Sequence, residues 1–174
     1  MFKFLSPTIR KIFLTKLINP EFIPLIPPRD LWVNPKDTFQ HFFRWPTEYR
    51  ILLSIFAGLR NNSSVFEIGC NHGRTALGLV EVIDHSGSYI GIDLSKKHIL
   101  FAQRHLNKVN PSMEFIHLDI QNSFYNPLGT LDSTTLEFPV SKESKDLIYA
   151  ASVFTHLAPA TVDRKSTRLN SSHA

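Results

Sequence analysis

The sequence is poor in the features that mark disulfide-rich or membrane-spanning proteins. Its 174 residues include a single cysteine, Cys70, which excludes an internal disulfide and makes the reducing cytoplasm the expected location. No run of eighteen apolar residues occurs, which argues against a membrane-spanning helix. The hydrophobic content of 43% still suffices for one compact domain with a sizeable core.

The excess of positive charge lies at the two ends of the chain. The formal net charge is +4, but residues 21–162 carry 12 basic and 14 acidic side chains. This central region offers no basic stripe for phosphate contacts, so we expect no nucleic-acid partner. Residues 1–18 combine basic side chains with apolar ones at helical spacing. They are a candidate for packing on the domain or a partner, or for peripheral contact with a membrane.

The last residues, DRKSTRLNSSHA, lack apolar periodicity. Residues 163–173 correspond codon for codon to the translation of a common short-read sequencing adapter. Our hypothesis is that the genuine chain stops near Val162 and that residues 163–174 are an artefactual tail. The alternative is a polar, disordered terminus. An open frame encoding this tail in resequenced genomic DNA would contradict the hypothesis.

Prolines are frequent between the amphipathic segment and the predicted domain. Six of the eleven lie within residues 20–46, which predicts an extended lead-in after the amphipathic segment. From Thr47 apolar residues recur at helical spacing, and a helix is expected to end around residues 58–62. The predicted organisation is therefore a lead-in over residues 1–46, a domain over 47–162 and the tail over 163–174.

Strand and helix patterns alternate through the domain. Short apolar runs predict strands over residues 65–68, 89–92, 114–118 and 147–151. Helices are predicted from about Arg74 to Asp84 and after Ser95, the expected N-cap. Successive β-α units predict an α/β fold, a Rossmann-like, doubly wound parallel sheet with helices on both faces. The stretch between the third and fourth strands is rich in turn formers and predicts an irregular loop or hairpin beside the ligand-binding edge.

The stretch VFEIGCNHGRTA joins the first strand to the next predicted helix. Gly69 and Gly73 would let a ligand approach the backbone, and a following helix would present free N–H groups to an anion. Tight turning or close helix–sheet packing explains the same glycines equally well. Glu67, at the end of the strand, would repel a pyrophosphate but accept hydrogen bonds from an ammonium or a ribose hydroxyl.

Two further acids follow the second and third strands. Asp93 is placed to accept from the two hydroxyls of a ribose, and Asp119 from an adenine amino group. Each acid alone is more often an ordinary strand-end residue. Three acids at the ends of three successive strands favour a nucleoside site.

The segments VFEIGCNHGRTA, YIGIDLSKKHI, FIHLDI and DLIYAASVFTHL resemble, in order, the strand-end motifs of class I S-adenosylmethionine-dependent methyltransferases. The resemblance covers about residues 65–157 and implies that S-adenosyl-L-methionine is the cofactor. It implies roles for ten residues. Glu67, Gly69, Cys70, Asn71 and Gly73 would surround the methionine part, Asp93 would bind the ribose, Asp119 with Ile120 would hold the adenine, and Ser152 would lie beneath the sulfonium. Leu94 would also belong to the cofactor-binding residues.

Two departures from this family pattern matter. Asn71 stands where the family turn usually has glycine, but asparagine tolerates left-handed dihedral angles at a cost of about 1 kcal/mol or less. The family sheet normally has seven strands, whereas this chain supplies about four. FFRWPTEYR and FYNPLG also resemble a subgroup associated with bacterial glycan clusters, so the expected methyl acceptor is a small molecule or a glycan.

The sequence carries no catalytic signature. His156 is a candidate general base, with helix capping or packing as the alternative, and His72 is similarly open. No metal-ligand spacing occurs, so no metal is expected. The rival to a methyltransferase is a fragment or scaffold that binds a nucleoside without turnover. A nicotinamide dehydrogenase fits less well because G-x-G-x-x-G is absent. The acceptor atom and the oligomeric state are left open.

Overall fold

The computed structural model describes residues 25–32, 38–122, 125–132, 137–141, 143–151 and 153. Within them, α-helices and β-strands follow one another along the chain, with two short 3₁₀ helices. The elements are 3₁₀ Arg29–Leu31, α1 Phe39–Phe56, β1 Ser64–Ile68, 3₁₀ Ala76–Gly78, β2 Ser88–Asp93, α2 Lys96–Val109, β3 Met113–His117 and β4 Leu147–Ala150. The four strands lie within one or two residues of their predicted positions.

The strands form one parallel sheet in the order β3-β2-β1-β4. After β1 the chain adds β2 and β3 on one side and then returns to place β4 on the other side. The strand order therefore reverses between β1 and β4, and open α/β sheets bind ligands at the carboxyl ends of such strands. The predicted Rossmann-like α/β fold is confirmed, with four strands in the described residues.

Two apolar clusters cover the two faces of the sheet. On β1, Val65 faces a cluster that includes Leu53 of α1 and Leu106 of α2. Phe66 faces the opposite cluster, which Phe138 of the segment before β4 helps to cover. Within the described residues both α-helices thus lie on the Val65 face, and an irregular segment covers the other. The prediction of helices on both faces is therefore wrong for this part of the chain.

Helix α1 begins earlier than expected. The prediction that the extended lead-in continues to residue 46 is wrong from Phe39 onward. Pro46 lies inside the helix. Because proline lacks an N–H, it removes one main-chain hydrogen bond, and the helical turns before and after it persist. Burial of Phe42, which is 2% exposed and stacked on Trp32, stabilises this first half. The helix ends as predicted, with Gly58 at φ 67° beyond its last turn.

The segment after the glycine turn is not the predicted α-helix. Only Ala76–Gly78 is helical, as a 3₁₀ turn, so the helix predicted from about Arg74 to Asp84 is wrong. A Cβ on Gly78 would lie 2.2 Å from the carbonyl oxygen of Pro46, which shows how closely this segment packs on α1. The β-branched Val80, Val82 and Ile83 lower its helix propensity further. The helix-dipole argument for anion binding at this turn therefore does not apply.

The segment between β3 and β4 is irregular in its described parts, as predicted. Asn122 and Asn126 exchange main-chain hydrogen bonds in a tight hairpin. Ile120 bridges to Leu131. This hairpin begins five residues after β3 ends at His117, on the side of the sheet's carboxyl edge.

Candidate functional site

The turn after β1 is fastened to the end of β2. The main-chain N–H groups of Gly69 and Cys70 both donate to the carbonyl oxygen of Ile92, at 2.8 and 3.0 Å. The N–H of Gly73 donates back to the carbonyl of Cys70 at 2.9 Å, which closes the turn. The backbone from Gly69 to Gly73 is therefore a defined loop at the point where the strand order reverses.

Asn71 occupies the left-handed region of this loop, with φ 53°. Its Oδ1 accepts from the N–H of His72 at 2.7 Å, and its own N–H donates to Oδ2 of Asp93 at 2.8 Å. An asparagine side chain that bonds to the neighbouring backbone lowers the cost of this conformation. The expectation that Asn71 tolerates left-handed dihedral angles in this turn is confirmed.

The two turn glycines are both required by the backbone. Gly69 and Gly73 have φ values of 77° and 81°. A Cβ on Gly69 would lie 2.2 Å from Cγ2 of Val153, and a Cβ on Gly73 would lie 3.2 Å from the methyl carbons of Leu106. Close packing by the chain's own side chains thus accounts for Gly73. At Gly69 the close neighbour is Val153, which follows β4 in the chain.

Glu67 is buried beneath the turn, with 1% of its surface exposed. Its carboxylate accepts from the hydroxyls of Thr75, Tyr89 and Tyr149, the last at 2.9 Å. Burial is the main cause that raises the pKa of Glu67, while the three hydroxyl donors act in the opposite direction. Sequence reasoning missed these donors, although the pairing of Glu67 with Tyr149 across β1 and β4 puts both side chains on one face.

The Cys70 side chain points into the core. It is 1% exposed, and burial raises the pKa of its thiol well above the usual value. A Cβ on Gly91 would lie 2.9 Å from Sγ of Cys70, so the thiol fills the space that this glycine leaves. The thiol is therefore a packing group, and the backbone N–H and carbonyl of Cys70 are both hydrogen-bonded, to Ile92 and to Gly73.

Asp93 connects the turn to the start of α2. Oδ2 accepts from Asn71 and Oδ1 from the N–H of Ser95 at 2.8 Å. Ser95 is the N-cap residue, as predicted, although its hydroxyl makes no capping bond. Leu94 packs against the Phe66 cluster, and its carbonyl lies 3.1 Å from Nε2 of His117.

Asp119 organises the hairpin after β3. Its carboxylate accepts from Asn126 Nδ2 at 2.9 Å and from Thr130 Oγ1 at 2.8 Å, and these bonds lower its pKa. Ile120 is 3% exposed in the Phe66 cluster. Ser152 and His156 lie outside the described residues, so their roles stay predictions.

His72 lies in a buried aromatic cluster. Its ring stacks on Phe42 at 5.8 Å and meets His98 and Phe101 edge-on. Neither ring nitrogen makes a hydrogen bond within the described part of the chain. Burial lowers the pKa of His72 to about 3, with smaller contributions from His98 and Arg74. These features favour a neutral packing histidine over a proton acceptor at neutral pH.

Two kinds of feature are absent from the described residues. No helix there has the length and apolarity needed to cross a bilayer. No group of three or more His, Cys, Asp or Glu side chains in this part of the chain converges as metal ligands would.

The parallel strand order and the Gly69–Gly73 turn together define a Rossmann-like α/β architecture. Comparison with known families makes the assignment specific. Residues 66–170 match the family described as "Methyltransferase domain", and the chain belongs to this family.

Solved structures support the fold. A candidate S-adenosyl-L-methionine-dependent methyltransferase from Methanococcus maripaludis superposes with a TM-score of 0.52 at 17% identity, over 73% of this chain and 52% of that one. PKMT2 from Rickettsia typhi, solved with AdoHcy, gives 0.50 at 22% identity, over 74% of this chain and 22% of that one. The chain therefore spans about half the length of the Methanococcus protein.

Proposed function

We propose that the protein to which this chain belongs transfers a methyl group from S-adenosyl-L-methionine to a small molecule or glycan in the cytoplasm. The observation that carries the proposal is the Gly69–Gly73 loop, which lies at the reversal of strand order and is hydrogen-bonded to Asp93. Membership of the methyltransferase domain family supports the reaction, and the AdoHcy complex of the structurally similar PKMT2 supports the cofactor.

Each carboxylate oxygen of Asp93 accepts one main-chain N–H, which leaves further acceptor capacity on both oxygens. Ribose hydroxyls can therefore bind without displacing the turn. The N–H bonds hold the carboxylate in one orientation, as a binding site for a diol requires. Asp119 supports an adenine contact less directly, because Asn126 and Thr130 already donate hydrogen bonds to its carboxylate.

Methyl transfer from a sulfonium is an in-line displacement, so the protein mainly aligns the acceptor with the methyl group. In this proposal the described residues bind the methyl donor. The glycan or small-molecule acceptor is supported only by sequence resemblance, and the cytoplasmic location by the lone, buried thiol of Cys70. Contact of residues 1–18 with a membrane and the absence of a nucleic-acid partner stay predictions from the sequence.

Binding of radiolabelled S-adenosyl-L-methionine tests the proposal. Asp93→Ala and Gly69→Val should abolish binding. Asp146→Ala is the control for the first, because Asp146 holds Ser64 at the amino end of the sheet. Gly58→Val controls for the second, since Gly58 has a similar positive φ but lies in open space. Unaltered binding by the two site variants would contradict the proposal, and binding without methyl transfer to any acceptor would favour the non-catalytic scaffold.

A further inference from the structure

The solvent side of α2 carries charge of one sign. The helix Lys96–Val109 contains four lysine and arginine side chains and neither aspartate nor glutamate. The buried Leu106 is two residues from Arg104 and from Lys108, about half a turn of the helix, so both cations lie on the opposite side. Lys97, seven residues before Arg104, lies on that side as well. All three cations are exposed.

Little negative charge lies near these cations. Within the described ranges no carboxylate forms an ion pair with Lys97, Arg104 or Lys108. Glu114 of the adjacent strand β3 points to the other face of the sheet, because the residues on either side of it pack in the α2 cluster. Asp30 approaches only the N-terminal end of α2, where its main-chain oxygen accepts from Lys97 at 3.4 Å. The uncompensated positive charge is therefore greatest around Arg104 and Lys108.

An exposed leucine lies among the cations. Leu100 is 46% exposed, and it follows Lys97 by three residues and precedes Arg104 by four, so each cation is one helical turn away. The half-buried ring of Phe101 lies beside it and stacks on His105. A single exposed leucine is ordinary on a protein surface. What is specific here is that apolar surface and positive charge share one side of a helix.

We propose that the basic face of α2, formed by Lys97, Leu100, Arg104 and Lys108, binds the surface of an anionic membrane. In this contact the cations lie against the lipid phosphates, and the leucine enters the boundary between headgroups and acyl chains. A nucleic acid would use the cations equally well but would leave Leu100 in water. The apolar component therefore favours a lipid surface, and the inference holds independently of methyl transfer.

Residues 1–18 add a separate observation from the sequence. They contain four basic and no acidic side chains, together with apolar residues at helical spacing. Residues 21–162 carry 12 basic and 14 acidic side chains, so the chain as a whole has no general excess of positive charge outside its ends. Positive charge joined to apolar side chains is thus concentrated in two segments, and both have the composition that an anionic bilayer attracts.

Sedimentation of the full chain with lipid vesicles tests the proposal. The chain should bind vesicles of phosphatidylcholine mixed with an equal amount of phosphatidylglycerol, and it should bind pure phosphatidylcholine far less. The double variant Arg104→Gln with Lys108→Gln should lower the partition coefficient on the anionic vesicles by about thirtyfold, the contribution of two basic side chains near an anionic bilayer. Arg50→Gln with Arg60→Gln is the matched control, because it removes the same charge from exposed arginines elsewhere.

Leu100→Ser tests the apolar part of the contact without a change of charge. Since about half of the Leu100 side chain is left to bury, binding to the anionic vesicles should weaken by about fivefold. Leu128→Ser is the matched control, because Leu128 is 92% exposed but lies away from α2, between β3 and β4. It should leave vesicle binding unchanged.

Four results would overturn the proposal. The wild-type chain could bind neither kind of vesicle, or both equally. The two double variants could lose binding to the same extent, which would make net charge rather than the basic face responsible. Leu100→Ser could bind as wild type does. The chain could bind a short random-sequence RNA at physiological ionic strength but not the vesicles, which would assign the face to a nucleic acid. The proposed function is tested separately by cofactor binding.

Discussion

Asn71 allows the glycine-turn interpretation to be tested by substitution. The residue has φ 53°, and its Oδ1 accepts from the N–H of His72. Asn71→Ala keeps a Cβ in the left-handed region, at a cost of roughly 1 kcal/mol. It also leaves the partly buried N–H of His72 without this acceptor, at about 1 kcal/mol more. We therefore expect Asn71→Ala to lower the free energy of unfolding by about 2 kcal/mol.

Asn71→Gly is the informative comparison. Glycine adopts φ 53° without steric cost, so the lost hydrogen bond to His72 is offset by the relaxed backbone. The free energy of unfolding should stay within about 1 kcal/mol of wild type. Urea denaturation of the three proteins, followed by circular dichroism, measures both differences. If the alanine variant were as stable as the glycine variant, backbone strain at this turn would not explain the choice of asparagine.

Three further predictions follow from individual contacts. Because the buried His72 has a pKa of about 3, against 6.5 in the unfolded chain, its contribution to stability is complete above pH 6.5, and the free energy of unfolding should fall by about 1.4 kcal/mol per pH unit between pH 6 and 4. His72→Phe should reduce this slope in urea melts at several pH values, and an unchanged slope would contradict the burial of a neutral imidazole. Gly78→Ala should destabilise the fold by roughly 1–3 kcal/mol, since its Cβ would meet the carbonyl of Pro46 at 2.2 Å; an unchanged melting temperature would contradict this packing. Asp119→Ala should speed hydrogen exchange at the N–H of Thr130, which depends on the hairpin that Asp119 holds; equal exchange in both proteins would show that Asp119 does not order the hairpin.

Sequence patterns located the strands well because each is a short apolar run bounded by turn residues. Strand β1 spans Ser64–Ile68 where the pattern indicated 65–68, and the parallel order follows from the β-α alternation. Patterns failed where tertiary contacts decide local structure. Pro46 suggested an extended chain, but burial of Phe42 and Leu53 holds the surrounding residues in a helix.

Tertiary contacts also explain why the α-helix predicted after the Gly69–Gly73 turn is wrong. Apolar residues from Leu77 to Ile83 have helical spacing, yet the close approach of Gly78 to α1 leaves only a 3₁₀ turn. Sequence reasoning had no means of locating that contact, because it joins residues 32 positions apart in the chain. Sequence reasoning likewise identified Glu67 as an acid at the end of β1 but did not identify its hydrogen-bond donors. Tyr149 reaches Glu67 only because β4 pairs with β1.

The strand-end acids were grouped as one nucleoside site, and the structure divides their tasks. Glu67 lies beneath the turn among hydroxyls, Asp93 holds the turn to α2, and Asp119 holds the hairpin. Of the three, only Asp93 accepts both of its hydrogen bonds from main-chain N–H groups, one on each carboxylate oxygen. A carboxylate oriented in this way offers its remaining lone pairs without rearrangement, whereas a ligand at Asp119 has to share that carboxylate with Asn126 and Thr130. Cofactor affinity should therefore depend far more on Asp93 than on Asp119.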